Sequence, residues 1–388
     1  MYPLYQLLFT DHGLSASEVS TLFIIWSTTS FVLEVPSGAW ADTFSRRRLL
    51  VFGSLVGGLG YASWILVPSY AGFALGFVLW GASSALISGT FEALVYDELA
   101  ARGSTSKYAG LIGRAKAAAL VLNLAATAVA APLYQSGGYV LVGVVSVLSC
   151  LAQAVVALSL PEASRVATAD ETLEVESDTG RGPLGRYALM LRSGLTEAVT
   201  SRTVRKAVAL VALLGGFLVF DEYFPLLARE TGASNTLVPL LIAGTVAAQA
   251  IGGALAGPAY KLRASILAVG LALTAGLLAW GALSGTALGF VPIAVGYGVM
   301  QLVIIVAEAR LQDSITGPAR ATVTSVSGFF SDVFAVVVYA NFALGLVWFT
   351  LPVLIAALTV PVLLTALITP VALPPPSATD ELETKEVT

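Results

Sequence analysis

The chain has 388 residues, of which 57% are hydrophobic and only 11% charged, with a formal net charge of −4. Soluble domains carry about a quarter charged residues, so this composition excludes a soluble globular protein and points to an all-helical integral membrane protein. One cysteine, Cys150, excludes an internal disulfide framework, and one histidine, His12, leaves no His/Cys metal site. No Gly-x-x-x-x-Gly-Lys-Ser/Thr loop is present to cradle ATP phosphates, so no cofactor, no metal and no nucleic-acid partner are expected.

A hydrocarbon core of about 30 Å needs roughly 20 apolar residues per crossing helix. In chain order, residues 1–10 are apolar but too short, and form a stub that counts as segment one. No basic region precedes an apolar run at the start, so no cleavable signal is expected. Segments two to six are expected at 18–41, 49–67, 71–99, 108–133 and 139–160, with residues 135–138 as the last turn. A polar stretch, 161–203, follows. Its acidic run Asp170, Glu171, Glu174, Glu176 and Asp178 reads as a solvated linker. Leu184, Tyr187, Ala188, Leu191, Leu195 and Ala198 recur at helical spacing, the pattern of an amphipathic helix lying on the inner leaflet. Segments seven to twelve are expected at 207–228, 236–260, 264–283, 286–313, 322–343 and 347–369. The expectation is therefore eleven full spans plus a stub, arranged as a bundle at 1–160, a linker at 161–203, a bundle at 204–370 and a polar tail at 371–388.

Charge orients these spans. Loops rich in Lys and Arg stay cytoplasmic. If the loop holding Arg46 is inside, nineteen of the twenty Lys and Arg residues fall on the cytoplasmic side and only Arg229 lies outside. The linker and the C-terminus are then cytoplasmic.

The loop between segments two and three reads Gly38-Ala-Trp-Ala-Asp42-Thr-Phe-Ser-Arg46-Arg47-Arg48. Gly253 to Arg263 aligns on it without gaps at an offset of 215, with Gly257 in place of the acid. Ala74-Leu-Gly-Phe-Val78 recurs as Ala287-Leu-Gly-Phe-Val291 at an offset of 213. The second half thus repeats the first. By the same offset, the counterpart of segment seven would start about eight residues before Met1, and a longer natural chain or a shortened first helix is expected.

This loop resembles that between helices two and three of the major facilitator superfamily, whose pattern is roughly Gly-x-x-x-Asp-Arg/Lys-x-Gly-Arg/Lys-Arg/Lys. Gly38, Asp42, Arg46 and Arg47 match it, while Thr43 and Ser45 depart from it. The resemblance implies two six-helix bundles related by an axis along the membrane normal, with a substrate path between them. It also implies a conformational latch made by Gly38, Asp42, Arg46, Arg47, Arg48 and an acid at the end of segment four, for which Asp97 is preferred over Glu98 as the one farther from the solvated loop. In that reading Asp42 meets the positive start of segment eleven near Ala321 when the cytoplasmic side closes.

Ionisable residues inside spans are costly and mark pathways or partners. Glu34 shares a face with Ser27, Ser30 and Gly38; it reads as a proton-titrating carboxylate or as a structural acid paired with Arg114 or Lys116. Glu92 lies on a stripe with Ser84 and Ser88 in segment four, one of the helices that line the cavity in the resembled family; it reads as a substrate- or proton-binding acid, ahead of a gate salt bridge. Asp221 and Glu222 sit among Phe217, Phe220, Tyr223 and Phe224. Asp221 stays open between a cation-binding acid and a neighbour of an aromatic belt, and Tyr223 and Phe224 are assigned to the belt. Tyr297, Gln301 and Glu308 share a face of segment ten; Gln301 reads as a substrate-reading amide or a helix–helix bond, and Glu308 with Arg310 as gate residues. Asp332, with Ser325, Gly328 and Tyr339 on its face, reads as a proton carrier or as a protonated acid bonded to a neighbour, with Gly328 allowing close helix approach. Gln249, Thr245 and Asn123 are weaker polar candidates.

The expected function is secondary active transport of a small molecule by alternating access. The resemblance suggests a bacterial, cell-membrane, monomeric protein exporting a drug or metabolite in exchange for protons. The Gly-rich, Pro-containing motif of that family's drug–proton antiporters is only approximated by residues 130–138, so a sugar or nutrient importer is the alternative. A non-transporting sensor or scaffold is a third reading, and the retained Glu34, Glu92 and Asp332 argue against it. No nucleophile–base pair or metal set appears, so an enzyme is not expected.

Overall fold

In the computed structural model residues 1–87, 89–104, 107–162, 201–315 and 320–376 are described, and among them there is no strand. The acidic run, the amphipathic stretch at 184–198 and the tail beyond 376 lie outside the described residues.

The stub forms a short helix, α1 (Tyr5–Asp11), and α2 (Ala16–Thr43) follows it. A capping box starts α2: the Glu18 N–H donates to Ser15 Oγ at 3.2 Å, and the Ser15 N–H donates back to the Glu18 carboxylate at 2.8 Å. Next comes α3 (Arg46–Leu66), with Ser45 as its N-cap. Segment four is not one helix. It divides into α4 (Tyr70–Ile87) and α5 (Thr90–Ala101), because Gly89 takes φ +64°, which only glycine adopts without strain.

The next helix, α6 (Tyr108–Ser159), counts 52 residues, roughly 78 Å at 1.5 Å per residue and more than twice a hydrocarbon core. Gly137 and Gly138 leave helical geometry inside it, so it is two spans joined at the expected 135–138 turn. Ten stretches are long and apolar enough to cross a membrane. With α6 holding two, the described chain has eleven crossings and the stub, as the hydropathy pattern implies.

The second half runs α7 (Arg202–Gly216), a 3-10 stretch (Phe217–Tyr223), α8 (Phe224–Glu230), α9 (Val238–Ala259) and α10 (Ala264–Leu283). After a short 3-10 turn (Ala287–Gly289) come α11 (Phe290–Ser314), α12 (Arg320–Gly345) and α13 (Leu351–Ala372). Segment seven is therefore also interrupted, through Asp221 and Glu222.

The chain divides into two compact units, 1–189 and 190–388. Lipid tails are as apolar as leucine, so packing inside each unit comes from close contact rather than from leaving water. In the first unit α3 packs on α4 and α6, and α2 on α4. An aromatic core of Tyr5, Phe9, Phe23, Trp64, Phe73 and Phe77 fills the space between α1, α2, α3 and α4. Trp64 Nε1 donates to the Phe73 carbonyl at 3.1 Å, which keeps its polar atom satisfied. Gly76 makes room for that indole, since a Cβ there would collide with the Trp64 ring.

In the second unit α9 packs on α11, α10 on α11 and α13, and α7 on α12. Here the close approach is Gly252 against Gly298: a Cβ on Gly252 would strike the Gly298 carbonyl. Gly328 does not serve this purpose, contrary to its expected role, because a Cβ there meets nothing within 4 Å. The glycines that let α7 and α12 meet are Gly215 and Gly216, which face Ser331 and Phe334.

Candidate functional site

The loop arginines organise one end of the first unit. Arg46 forms an ion pair with Asp97 of α5 and donates to the Ala93 carbonyl at 2.9 Å. Its side chain is only 13% exposed, so the pair is withdrawn from solvent on the arginine side. Of the acids ending segment four, Asp97 is joined to the loop. Glu98 is not the more solvated of the two: its side chain is 11% exposed against 32% for Asp97, and it pairs with Arg102 at 2.8 Å. Arg48 is exposed at the start of α3. The side chains of Gly38 and Asp42, at the end of α2, lie outside the described residues.

Glu162, just past α6, completes this cluster and was not singled out from the sequence. Ser45 Oγ donates to its carboxylate at 2.6 Å, the Arg47 N–H donates at 3.2 Å, and the Arg47 guanidinium stands 3.9 Å away. The carboxylate therefore sits on the N-terminus of α3, where free N–H groups and the helix dipole favour an anion. Burial pushes the Glu162 carboxyl up, but hydrogen bonds from Ser45 and from the Arg47 and Arg46 backbone, with the Arg47 charge, hold it below the usual carboxylate range. Its signal in the sequence is Leu160-Pro161-Glu162, an acid directly after a span that Pro161 ends, on the same side as the arginine loop.

The second unit solves the matching problem differently. Arg310, the residue that the 213 offset pairs with Asp97, is 1% exposed. It donates to the Tyr260 carbonyl, to Leu262 O at 2.6 Å and to Pro374 O at 3.2 Å. These carbonyls end α9 and α13 and would otherwise be orphaned. Arg310 thus staples three helices within its own unit. Here the guanidinium is on the helix, and backbone carbonyls rather than an acid receive it.

The other candidates separate. Glu92 lies in the first turn of α5, beyond the break at Gly89, so it does not continue a helical stripe with Ser84. There the helix N-terminus favours its charge. Glu34 is exposed, and no ion pair joins it to Arg114 among the described residues; Arg114 Nε donates to Gly110 O at 3.2 Å. Tyr223 and Phe224 are fully buried, so they are core residues and not an interfacial belt. The Tyr223 ring stacks on Phe342 with centroids 3.6 Å apart.

Tyr297 explains the interruption of segment seven. Its hydroxyl donates to the Leu218 carbonyl and accepts the Asp221 N–H at 3.1 Å. A side chain inserted in this way breaks the helical ladder. Asp221 is half-buried beside it. Tyr297 and Glu308 share a helix face but not an environment: Tyr297 is buried, Gln301 half-buried and Glu308 exposed.

Glu308 lines a cavity of about 450 Å³ between α7, α11 and α12. Gln312, Ser327, Gly328 and Ser331 share its wall, and Val211 and Ile305 close its apolar side. Asp332 is exposed one residue beyond Ser331, outside that lining. A second cleft of about 490 Å³ lies between α9 and α11, over Gly253, Gly257, Lys261 and Asp313. It occupies the place where the repeat has lost its acid. Among the described residues no group of three or more His, Cys, Asp or Glu side chains is placed to hold a metal ion.

A family model, the Major Facilitator Superfamily, matches residues 1–339. The chain belongs to the Major Facilitator Superfamily. It is a multi-pass membrane transporter of small molecules by membership. Three solved structures share the fold. A D-xylose-proton symporter is 14% identical with TM-score 0.67, covering 96% of this chain and 92% of the other. A bacterial homologue of the iron transporter ferroportin, in an inward-facing state, is 13% identical with TM-score 0.66 over 96% and 92%. A point mutant of the nucleoside transporter NupG is 12% identical with TM-score 0.67 over 95% and 93%. No curated protein shows significant sequence similarity to this chain.

Proposed function

We propose that this member of the superfamily exports a drug or metabolite across the cell membrane by alternating access, in exchange for protons. The observation that carries the reading is the second-unit cavity, which puts a carboxylate, Glu308, on the wall of a small-molecule-sized space within a membrane segment. A carboxylate in a membrane segment is a natural proton carrier. Glu34, Glu92, Asp221 and Asp332 are further carboxylates placed within or beside the spans, and Gln301 is an amide at middle depth of its segment.

In this proposal the Arg46–Asp97 pair, with Arg47, Arg48, Gly38 and Asp42, forms a latch on the cytoplasmic side of the first unit. An ion pair can be made and broken with conformation, whereas the Arg310 staple of the second unit holds its own helices together. Asp42→Asn then leaves the protein folded but slows transport; full transport by that variant removes the latch. The chain acts as a monomer of bacterial type, with its linker and C-terminus in the cytoplasm.

Import of a sugar or nutrient is the second reading. It is favoured by the structure around residues 130–138, where the helix-breaking glycines sit in the turn after Pro132 rather than within the span. The test is a proteoliposome assay with an imposed pH gradient and a panel of cationic, neutral and anionic solutes. Solute movement opposite to the proton gradient supports export. Movement with it supports import, and indifference to it removes proton coupling.

A further inference from the structure

We infer that the turn between α12 and α13, residues 346–350, is a lipid-docking surface, on which Trp348 and Phe349 seat in the interfacial layer of the bilayer and anchor that hairpin. The inference concerns the membrane around the second unit and does not rest on the solute or on the direction of transport.

The two ends of this unit differ in chemistry. α13 finishes beside Pro374, whose carbonyl Arg310 holds, and the start of α7 is tied to the same end by the Lys206 ammonium, which donates to the Val371 carbonyl at 3.4 Å. There the exposed side chains include Arg202, Arg205, Lys261 and Arg263. α13 begins at the opposite end, where the turn lies in a run, 333–379, without any Asp, Glu, Lys, Arg or His. Val347, Trp348 and Phe349 are 66%, 82% and 58% exposed, three large apolar side chains in succession outside the packed core.

This exposure is built into the backbone. The Trp348 and Phe349 N–H groups both donate to the Gly345 carbonyl, at 3.0 and 2.9 Å, and the Val347 N–H donates to the Leu344 carbonyl at 3.3 Å. Gly345 lets the chain turn close against α13, since a Cβ there would collide with Leu354. With these donors already paired, the turn leaves water at little cost, because an unpaired backbone group is what makes such a transfer expensive.

Position names the occupant. The turn joins two membrane spans, so it stands at a membrane boundary. Leu344 and Val353 continue its apolar surface onto the exposed flanks of α12 and α13. Tryptophan is favoured at headgroup level, where its apolar body and its single N–H donor are both accommodated. Trp280, 66% exposed near the finish of α10, is at the same end of the unit, because α10 starts beside Leu262 at the Arg310 end. The aromatic anchor expected at Tyr223 and Phe224 is thus carried by other residues. Since the turn has no charge, a zwitterionic lipid is sufficient.

The test uses the full-length protein in vesicles of phosphatidylcholine. On a Cys150→Ala background, Trp348→Cys and, separately, Phe349→Cys carry an environment-sensitive NBD label. Arg263→Cys carries the same label at the charged end. The labels at 348 and 349 should emit to the blue of the label at 263. They should lose most of their fluorescence to phosphatidylcholine with a nitroxide on its headgroup or upper chain, and should resist iodide, which should quench the label at 263. Quenching of the 348 and 349 labels by iodide and not by nitroxide lipid would put the turn in water and overturn the inference. Protection from both quenchers would show that protein, such as a second copy, covers the turn, and would overturn it equally.

Discussion

Replacing Arg310 by methionine tests a side chain of the second unit that bonds three backbone carbonyls. The substitution keeps an unbranched side chain in a fully buried position but removes every donor. Three carbonyls, on Tyr260, Leu262 and Pro374, lose their partner at once. Leaving a buried acceptor unsatisfied costs about 1–3 kcal/mol. With Leu262 partly exposed and its carbonyl able to find a substitute partner, the other two amount to about 2–6 kcal/mol. In a unit of this size each kcal/mol shifts melting by about 2–4 °C, so Arg310→Met should melt roughly 4–24 °C below the wild type. Arg310→Lys should recover only part of this, because a point ammonium does not reproduce the planar fork that reaches three carbonyls on two chain segments. The assay is thermal unfolding of the detergent-solubilised protein followed by intrinsic fluorescence. If Arg310→Met melts within about 2 °C of the wild type but loses transport, Arg310 is a gate residue and the staple argument is wrong.

Further outcomes follow from the same contacts. Arg46→Gln and Asp97→Asn should each destabilise the first unit, with a double-mutant coupling of about 1 kcal/mol after allowance for the partial exposure of Asp97; additive single effects would show that the pair contributes nothing. Glu162 has a folded-state pKa below its unfolded value, so its contribution is present above the unfolded value, about 4.3, and is lost as pH falls below it. Melting temperatures measured from pH 7 to 3.5 should therefore fall more steeply for the wild type than for Glu162→Gln, and parallel curves would refute the cap. Gly252→Val should cost about 1–3 kcal/mol, because its side chain meets the Gly298 carbonyl; Gly328→Ala, with open space, should be neutral or mildly stabilising in the same thermal-shift measurement.

Span number, span limits and the internal repeat were legible in the residues themselves. Each depends on a property that adds up along the chain: about 20 apolar residues cross a bilayer wherever their neighbours lie. Asp97 as the acid that the arginine loop meets was also legible, though only through the resemblance of that loop to a known family. The interruptions were not. Gly89 and the stretch from Phe217 to Tyr223 lie inside runs that still read as single spans, and hydropathy does not register a left-handed glycine or a tyrosine hydroxyl inserted from α11. Tyr223 and Phe224 looked interfacial because depth along a helix was visible but the ring of Phe342, more than a hundred residues on, was not.

The same reason separates the two kinds of charged group. Asp42, Glu34 and Asp332 stood out because an ionisable residue in an apolar run is conspicuous in one dimension. The parts played by Glu162, Arg310 and Ser327 depend on what surrounds them in three. Ser45 lies 117 residues from Glu162, and Pro374 lies 64 from Arg310. Ser327 is an ordinary serine until packing buries its hydroxyl on a cavity wall without a partner. Composition and periodicity decided that this chain crosses a membrane many times. Which donors and acceptors are spent inside each unit was decided only when distant segments came within hydrogen-bond reach.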